Sequence, residues 1–522
     1  MLLWFVVLYL MVSVGIGLLA ATRVHNVKDF AVAGRSLPLP VVTATVFATW
    51  FGAEAVFGVS ATFVKEGLTG VVADPFGSSL CLIIAGLLFS RYLYRLNILT
   101  LGDFYRMRYN RAVEVLTAVC IVASYLGWVA AQIKALGLIF FVVTDGAVSQ
   151  PTGMILGAAI VLTYTTFGGM FSVAILDFVQ MAVSIGGLLF IAWVVSGKVD
   201  GGTATVVSHA FDAGKLRFFP EMDPLKWVAF LGAWATMMLG SIPQQDVFQR
   251  VTSAKSARVA LWGSVLGASI YFCFTFVPMF IAYSATLIDP ALFGKLIEED
   301  SQLVLPTLVL QHMPLAAQVL FFGAVLSAIM SCSSATLLAP SVTFAENVVR
   351  GFWPKMSDRH FLWVMRATLV GFTCLVLTFA MHSESSIFEM VENAYKVTLA
   401  GAFVPLVGGI FWKRATSQGA LAAIFGGLFT WLLVEALVTG ESGGAYAYAL
   451  VGEEGIPPQL IGFAVSALGF VAGSLLPQWI SHPAPAPRHS HHAAAQTHHV
   501  AHSATHSATH STSHSDSHRP PR

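Results

Sequence analysis

Charged residues are scarce in this sequence. Asp, Glu, Lys and Arg make up 11% of its 522 residues, against about 25% in ordinary soluble domains. Hydrophobic residues make up 56% of the chain. This combination excludes a soluble globular protein. It predicts an all-α polytopic membrane protein that lies in a lipid bilayer and has no nucleic-acid partner.

Motifs for covalent chemistry are also missing. The five cysteines lie in apolar segments without the spacing of metal ligands, so we interpret them as packed thiols. The inner loops contain no paired acid and base, no nucleophile triad and no metal motif. We therefore expect neither an enzyme nor an organic cofactor. The first apolar segment lacks a basic region and a cleavage site, and we interpret it as a retained transmembrane helix.

The chain has enough long apolar segments for thirteen membrane spans, each of which needs about 20 apolar residues. The predicted spans lie near 2–22, 39–63, 70–94, 113–143, 151–167, 172–196, 226–246, 258–286, 315–345, 360–381, 388–412, 419–439 and 459–480. If the N-terminus lies outside, the inner loops hold sixteen Lys and Arg residues and the outer loops hold six. Basic residues favour the cytoplasmic side. We therefore predict a multi-pass protein of the cytoplasmic (inner) membrane, with its N-terminus outside and its C-terminus in the cytoplasm.

Residues 481–522 differ from the rest of the chain in composition. They hold eleven of the sixteen histidines in a background of Ser, Thr, Ala and Pro. Such a composition cannot bury a core, so we predict a disordered cytoplasmic tail. Weak binding of Zn²⁺, Ni²⁺ or Cu²⁺ by these histidines is the alternative.

Two of the predicted spans contain residues that interrupt a helix. The second span carries a carboxylate, Glu54, between Gly52 and Gly58, and an ionisable residue at membrane depth is a candidate for function. The seventh span carries Gly240 and Pro243 at mid-membrane. The two spans are five apart, as an inverted five-plus-five repeat requires, and paired broken helices indicate a transporter site. Two unrelated packing kinks are the alternative.

The ninth span carries a cluster of small polar residues. Ala328, Ser331 and Cys332 share one helical face, and Ser334 continues it one turn later. Hydroxyl and carbonyl oxygens suit Na⁺, whereas sulfur is a soft and unusual ligand for it. Small residues that allow close helix packing are the alternative. A further buried carboxylate, Asp177, begins the sixth span.

Six segments of the chain, in family order, resemble the sodium:solute symporter family, which has the LeuT-type fold. The likeness spans nearly all of residues 1–480 and is closest to the choline-transporter branch and to bacterial proline/solute symporters. The segments are DFAVAGRSLP (29–38), TLGDFYRMRY (100–109), YTTFGGMFSVAILDFVQ (164–180), PQQDVFQR (243–250), LSAIMSCSSATLLAPS (326–341) and GAFVPLVGGIFWKRATSQGA (401–420).

This resemblance implies a domain arrangement. Residues 1–38 would hold the first helix and an inner loop, and residues 39–412 a ten-helix transport core. The inverted repeats of that core would cover about 39–196 and 226–412. Residues 413–480 would add two C-terminal helices.

The resemblance also implies ligands for one Na⁺ between the first and eighth core helices. The implied ligands are the backbone carbonyls of Ala48, Phe51 and Ala328 and the side chains of Ser331 and Cys332. Most members have Ser or Thr where this chain has Cys332. A second ion or proton site would use Asp177 and Ser334, but Ala335 cannot ligate there, so we expect one coupling ion.

Comparison within the family addresses the substrate. Sugar members use carboxylates at Glu54 and Asp74, but two further sugar ligands would fall on Met237 and Gly240, which disfavours a sugar. Choline members enclose a quaternary ammonium in aromatic rings, a cation–π arrangement. The expected substrate residues are Trp50, Glu54, Asp74, Ser78, Trp128 and Gln244. Core packing or an interfacial belt is the alternative for both tryptophans.

We therefore predict a secondary active transporter. It would be a Na⁺-coupled symporter that imports a small amine-bearing organic solute, choline-like, an amino acid or similar, by alternating access. The alternatives are an H⁺-coupled symporter of the same fold, in which Asp177 carries the proton, and a symporter-fold membrane sensor or regulator. The identity of the solute, the ion stoichiometry and the oligomeric state stay open.

Overall fold

The computed structural model describes residues 2–439, 451–452 and 455–480. The predicted histidine tail lies outside these residues. The membrane-length helices and their broken partners are α1 (Leu2–Ala21), α2 (Leu39–Trp50), α3 (Glu54–Thr69), α4 (Val72–Arg95), α5 (Arg111–Val143), α6 (Gln150–Ser196), α7 (Pro224–Gly240), α8 (Gln245–Ser253), α9 (Ala257–Ile288), α10 (Leu315–Asn347), α11 (Asp358–His382), α12 (Ile387–Phe411), α13 (Ser417–Thr439) and α14 (Pro458–Leu475).

Several helices begin at a residue whose side chain caps the first turn. Asn110 precedes α5, and its side-chain oxygen accepts a hydrogen bond from the Val113 amide at 3.0 Å. Ser256 caps α9 in the same way through the Val259 amide at 3.2 Å. Such caps pair amides that have no partner within the helix. Polar residues between apolar segments therefore set where these helices start.

The number of membrane spans depends on how α6 is counted. Among the described residues, ten helices are long and apolar enough to cross a membrane, or up to twelve if each bent pair is one span. Helix α6 has 47 residues and contains Gly169 with non-helical angles, φ 48° and ψ −139°. At 1.5 Å per residue it would extend about 70 Å, against a hydrocarbon core of about 30 Å. The two spans predicted on either side of Gly169 would bring the number to thirteen, which stays a prediction.

Helix α10 lies at the centre of the packing. It contacts α5 and α6 extensively, and it also contacts α2. Helix α9 packs along α2, α12 along α5, and α1 along α6, while α13 and α14 pair with each other. Almost every residue of α10 from Val325 to Val342 is buried. A helix that is enclosed on all sides cannot be lipid-facing, so its hydroxyl groups face other helices.

Two broken helices stand at the starts of the two predicted repeats. Helices α2 and α3 meet at a bend of 56°, and α7 and α8 at a bend of 44°. The first break lies at Phe51–Gly52, and the second follows Gly240 and includes Pro243. Gly58, in contrast, has φ −64° and ψ −61° and lies in a π-helical turn. The prediction that the helix opens at Gly58 was wrong, because the chain there stays helical.

One end of the helix bundle is held by a polar cluster around Asn347. Its side chain accepts a hydrogen bond from Thr100 at 2.7 Å and donates to Asp103 at 3.2 Å and to Glu114 at 3.0 Å. Glu114 is also paired with Arg111 at 2.8 Å. Asn347 thereby ties the last turn of α10 to α5 and to the helix that connects α4 and α5 (Leu101–Arg108). We call these residues the Asn347 cluster.

Candidate functional site

The break between α2 and α3 is shaped by a glutamine from another helix. The Gly52 amide donates to the Trp50 carbonyl at 3.1 Å, so the Ala48 carbonyl loses its usual helical donor. The next amide, Ala53, donates to Gln132 Oε1 at 2.8 Å. A Cβ on Gly52 would lie 2.6 Å from that oxygen. Glycine is therefore required here by close approach, and Gln132 is a site residue that sequence reasoning missed.

The same glycine lies against the predicted ion residues of α10. A Cβ on Gly52 would lie 2.7 Å from the Cβ of Cys332. Ala48, Phe51 and Ala328 are buried nearby on the packed pair α2 and α10. Cys332 therefore stands beside the break.

Asp177 and Ser331, predicted for two different ion sites, form one unit. The Ser331 hydroxyl donates to Asp177 Oδ1, and the Ser334 hydroxyl donates to the Ser331 carbonyl at 2.9 Å. All three side chains are fully buried, and in the described part of the chain Asp177 Oδ2 has no hydrogen-bond partner. A buried carboxylate oxygen without a partner is costly in a membrane. The unit has the hard oxygen donors that a cation such as Na⁺ prefers.

Three aromatic side chains pack together near the break between α2 and α3. The Trp50 and Trp128 ring centroids lie 5.3 Å apart, and Tyr395 from α12 stacks on Trp50 at 6.0 Å with an interplanar angle of 9°. Tyr395 also lies 5.7 Å from Trp128. We call these three rings the aromatic cluster. Tyr395 was missed in the sequence, where it is one aromatic among the polar residues of α12.

Close backbone contact brings Tyr395 to this position. A Cβ on Gly240 would lie 2.5 Å from the Tyr395 carbonyl oxygen, and the Thr398 hydroxyl donates to the Gly240 carbonyl at 2.7 Å. The predicted substrate residue Gln244 donates to Ser124 at 2.9 Å, with Thr398 at 3.5 Å. The second helix break therefore supports the aromatic cluster through α12.

The two predicted carboxylates, Glu54 and Asp74, are both buried. Asp74 Oδ1 accepts hydrogen bonds from Ser78 and, at 2.5 Å, from the Tyr271 hydroxyl. Among the described residues, the buried atoms Asp74 Oδ2 and Glu54 Oε1 have no hydrogen-bond partner. Glu54 lies close enough to Asp74 and to Tyr395 for electrostatic interaction with both. Ser78 therefore belongs with the carboxylates rather than with the rings, and Tyr271 is a further residue that the sequence did not indicate.

Helix α8 buries a carboxylate, Asp246, and a guanidinium group, Arg250, one turn apart. The Tyr125 hydroxyl donates to Asp246 Oδ1 and accepts from the Asp246 amide at 2.9 Å. Arg250 is 1% exposed, and its Nη1 donates to the Asp246 carbonyl at 3.1 Å. Its Nε and Nη2 have no hydrogen-bond partner. Both residues lie in a segment that the sequence singled out, but no role was predicted for them.

Relatives of known function are transporters. The chain is 28% identical over 447 residues to the high affinity choline transporter 1 of Homo sapiens, covering 81% of this chain and 75% of that protein. It is 26% identical over 486 residues to the sodium/proline symporter of Haemophilus influenzae, covering 88% and 92%. A Na⁺-coupled sialic acid symporter in its substrate-bound outward-open state shares the fold, with a TM-score of 0.74, 17% identity, and coverage of 91% of this chain and 98% of that one.

The fold and the family are thereby established. The structural match confirms the predicted all-α, LeuT-type architecture, apart from the helix number. The model of the sodium:solute symporter family matches residues 30–427, which include the two broken helices, the Asp177–Ser331 unit and the aromatic cluster. The chain therefore belongs to the sodium:solute symporter family, and it is a Na⁺-coupled symporter of a small organic solute.

Proposed function

We propose that the solute carries a positively charged amine that binds among Trp50, Trp128 and Tyr395. The observation that carries this proposal is the packing of three buried rings, with centroids 5.3 to 6.0 Å apart, near Glu54, whose Oε1 atom has no hydrogen-bond partner among the described residues. A desolvated cation gains about 2 kcal/mol from one aromatic face. A carboxylate within the same enclosure adds a counter-charge. A neutral solute would gain neither.

Glu54 and Asp74 would then play different roles. Asp74 is held by Ser78 and Tyr271, whereas Glu54 Oε1 has no such partner. Glu54 would pair with the ammonium group, and Asp74 would add negative potential behind it. Because Trp50 and Tyr395 are stacked on each other, solute entry requires that the two rings separate.

For the coupling ion, the ligand set of the sequence analysis is supported by the neighbourhood of Gly52, Cys332 and Ser331. Carbonyls of Ala48, Phe51 and Ala328 with the Ser331 hydroxyl would bind Na⁺, and the Cys332 sulfur would be its weakest ligand. Asp177 would supply the negative charge through Ser331. Its free oxygen, with Ser334, would alternatively accept a proton.

The two sites would be coupled through the break. Cys332 of the ion site contacts Gly52, which follows Trp50 of the aromatic cluster directly in the chain. An ion that fixes the backbone at Phe51 would also fix the Trp50 ring. Such coupling is reciprocal, so the solute should raise the affinity for Na⁺ by the same factor.

The proposed orientation is that of the sequence analysis, with the N-terminus outside and the C-terminus in the cytoplasm of a cytoplasmic membrane. The excess of sixteen inner over six outer basic residues supports it. We also keep the predicted domain boundaries as proposals. The Asn347 cluster would then lie at the cytoplasmic end.

Uptake into proteoliposomes tests this function. Labelled quaternary amine should accumulate when an inward Na⁺ gradient is present and not when K⁺ replaces Na⁺. Tyr395→Phe should keep the wild-type affinity, while Tyr395→Leu should weaken it about thirtyfold, the equivalent of about 2 kcal/mol.

The matched control is Trp193→Leu, because Trp193 is 72% exposed on the outer face of α6. Trp50→Leu removes a ring of the aromatic cluster and should reduce uptake. Trp193→Leu removes an exposed ring of the same kind and should leave uptake unchanged. Equal uptake in K⁺ without a pH gradient would contradict the coupling. Uptake that follows a pH gradient instead would favour the proton alternative.

A further inference from the structure

A second group of polar side chains lies one helical turn from the Asp177–Ser331 unit. Gln180 follows Asp177 by three residues on α6, and Ser327 precedes Ser331 by four residues on α10. Residues with these spacings share a helical face. The Tyr9 hydroxyl of α1 forms a hydrogen bond with Ser327. The group therefore joins the first helix to the two helices that hold the ion residues.

Ser13, Gln180 and Ser327 are buried, and Tyr9 is partly buried. Ser13, one turn from Tyr9 on α1, is 3% exposed, and Gln180 is 1% exposed. Both side chains face the Tyr9 hydroxyl. Although the Gln180 amide lies near the Tyr9 hydroxyl, neither its Oε1 nor its Nε2 atom forms a hydrogen bond of ordinary length and angle with any described residue. A buried amide without partners costs free energy that a bound ligand would recover.

The donor set indicates which ligand fits. Tyr9, Ser13 and Ser327 offer hydroxyl oxygens and Gln180 offers an amide oxygen, and all four are neutral and hard. Oxygen ligands suit Na⁺, whereas transition metals prefer imidazole or thiolate. The Gln180 Nε2 group cannot bind a cation, but it can donate to a water molecule that accompanies one.

We propose that Tyr9, Ser13, Gln180 and Ser327 form a second Na⁺ site, which holds the ion together with at least one water molecule. This inference rests on the proposed ion site at Ser331. The two positions are about 5 Å apart along the helices, since one turn rises 5.4 Å. Two cations that close repel each other. The Asp177 carboxylate, which accepts a hydrogen bond from Ser331 and precedes Gln180 by three residues on α6, offsets that repulsion.

Counting bound ions tests the proposal. Binding of ²²Na⁺ to purified protein, followed by displacement with unlabelled Na⁺, should give two ions per wild-type chain. Tyr9→Phe removes only one hydroxyl and should leave one ion. Gln180→Glu adds a negative charge to the same group and should tighten the second ion at least tenfold. The control is Thr163→Val, because Thr163 is exposed on α6 and bonds only its own helix.

The outcomes separate this site from the others. An unchanged count in Tyr9→Phe, with no tightening in Gln180→Glu, would overturn the proposal and assign the group to a structural water. Ser331→Ala should weaken binding of the other ion about tenfold and leave the affinity of the Tyr9-dependent ion unchanged. Equal weakening of both ions in Ser331→Ala would overturn a separate site. The amine proposal is measured independently by solute displacement, which Tyr9→Phe should leave unchanged.

Discussion

Asn347 and Glu54 are both buried polar residues in a membrane protein, yet their surroundings differ. Every polar atom of the Asn347 side chain has a partner, and that side chain joins three segments of the chain. Glu54 Oε1 has none, and the nearby carboxylate of Asp74 is only half paired. Both arrangements bury polar atoms at a cost. Around Asn347, hydrogen bonds within the protein offset that cost. Around Glu54, a bound ligand would offset it.

The difference separates residues that hold the structure from residues that bind. A change in the Asn347 cluster should lower stability and leave affinities intact. A change at the helix breaks, the aromatic cluster or the Asp177–Ser331 unit should lower affinities with a smaller loss of stability. The following substitutions measure whether that separation holds.

Asn347→Leu should have the largest effect. It keeps the branched shape of the side chain but leaves Thr100, Asp103 and Glu114 without their shared partner. The loss should reach about 3 kcal/mol or more in the free energy of unfolding, since each unpaired group costs about 1–3 kcal/mol. Thermal unfolding in detergent measures it, with Thr378→Val as the control, because Thr378 is exposed and bonds only its own helix. A normal midpoint would show that the cluster is not structural.

Gly52→Ala should abolish transport. Its new Cβ would overlap Gln132 Oε1 and the Cβ of Cys332, at 2.6 and 2.7 Å, so the break must shift and Trp50 with it. Gly58→Ala is the matched control. Gly58 has helical angles, and a Cβ there would meet Phe388 at an ordinary 3.4 Å.

We therefore expect Gly58→Ala to transport normally and to gain about 0.5–1 kcal/mol of stability, as alanine does over glycine in a helix. Uptake and thermal unfolding of the two variants measure both effects. If Gly58→Ala also abolishes transport, the helix would have to open there after all.

Ser331→Ala should weaken the apparent affinity for Na⁺ about tenfold, because the loss of a ligand oxygen or hydrogen bond costs about 1 kcal/mol or more. The Na⁺ dependence of uptake measures it. The variant should unfold near the wild-type temperature. An unchanged Na⁺ dependence would exclude Ser331 from the ion site.

Cys332→Ser should have the smallest effect and the opposite sign. A hydroxyl oxygen is a harder ligand than a sulfur, so the apparent affinity for Na⁺ should rise by a few-fold. Cys332→Ala is the control, since it removes the sulfur without adding an oxygen. Equal Na⁺ dependence in all three proteins would show that this position does not touch the ion.

The helix breaks, the fold and part of the candidate site could be predicted from the sequence. The breaks at Gly52 and near Gly240 followed from glycine and proline within apolar segments, since both residues disturb helices by local geometry. The fold and the two site tryptophans followed from the family resemblance. All of these features depend on residues close together in the chain or on motifs in a known order.

The rest depends on contacts between distant segments. Tyr395 reaches Trp50 only because α12 passes against Gly240, and no spacing in the sequence reveals that approach. The Asp177–Ser331 hydrogen bond joins residues 154 positions apart. A break was assigned to Gly58 from its residue type alone, whereas the segment around it is buried against Phe388 and stays helical. Tertiary packing therefore decided each of these points.

The central claim is that the unpaired polar atoms and rings near the breaks bind a cationic amine together with Na⁺. Thermal stabilisation of the purified protein by a quaternary ammonium compound and by its neutral carbon isostere, each with Na⁺ or with K⁺, tests it most directly. We predict stabilisation by the ammonium compound in Na⁺ only, by an amount that rises with its concentration as binding requires. Equal stabilisation by the neutral isostere, or by both compounds in K⁺, would contradict the claim.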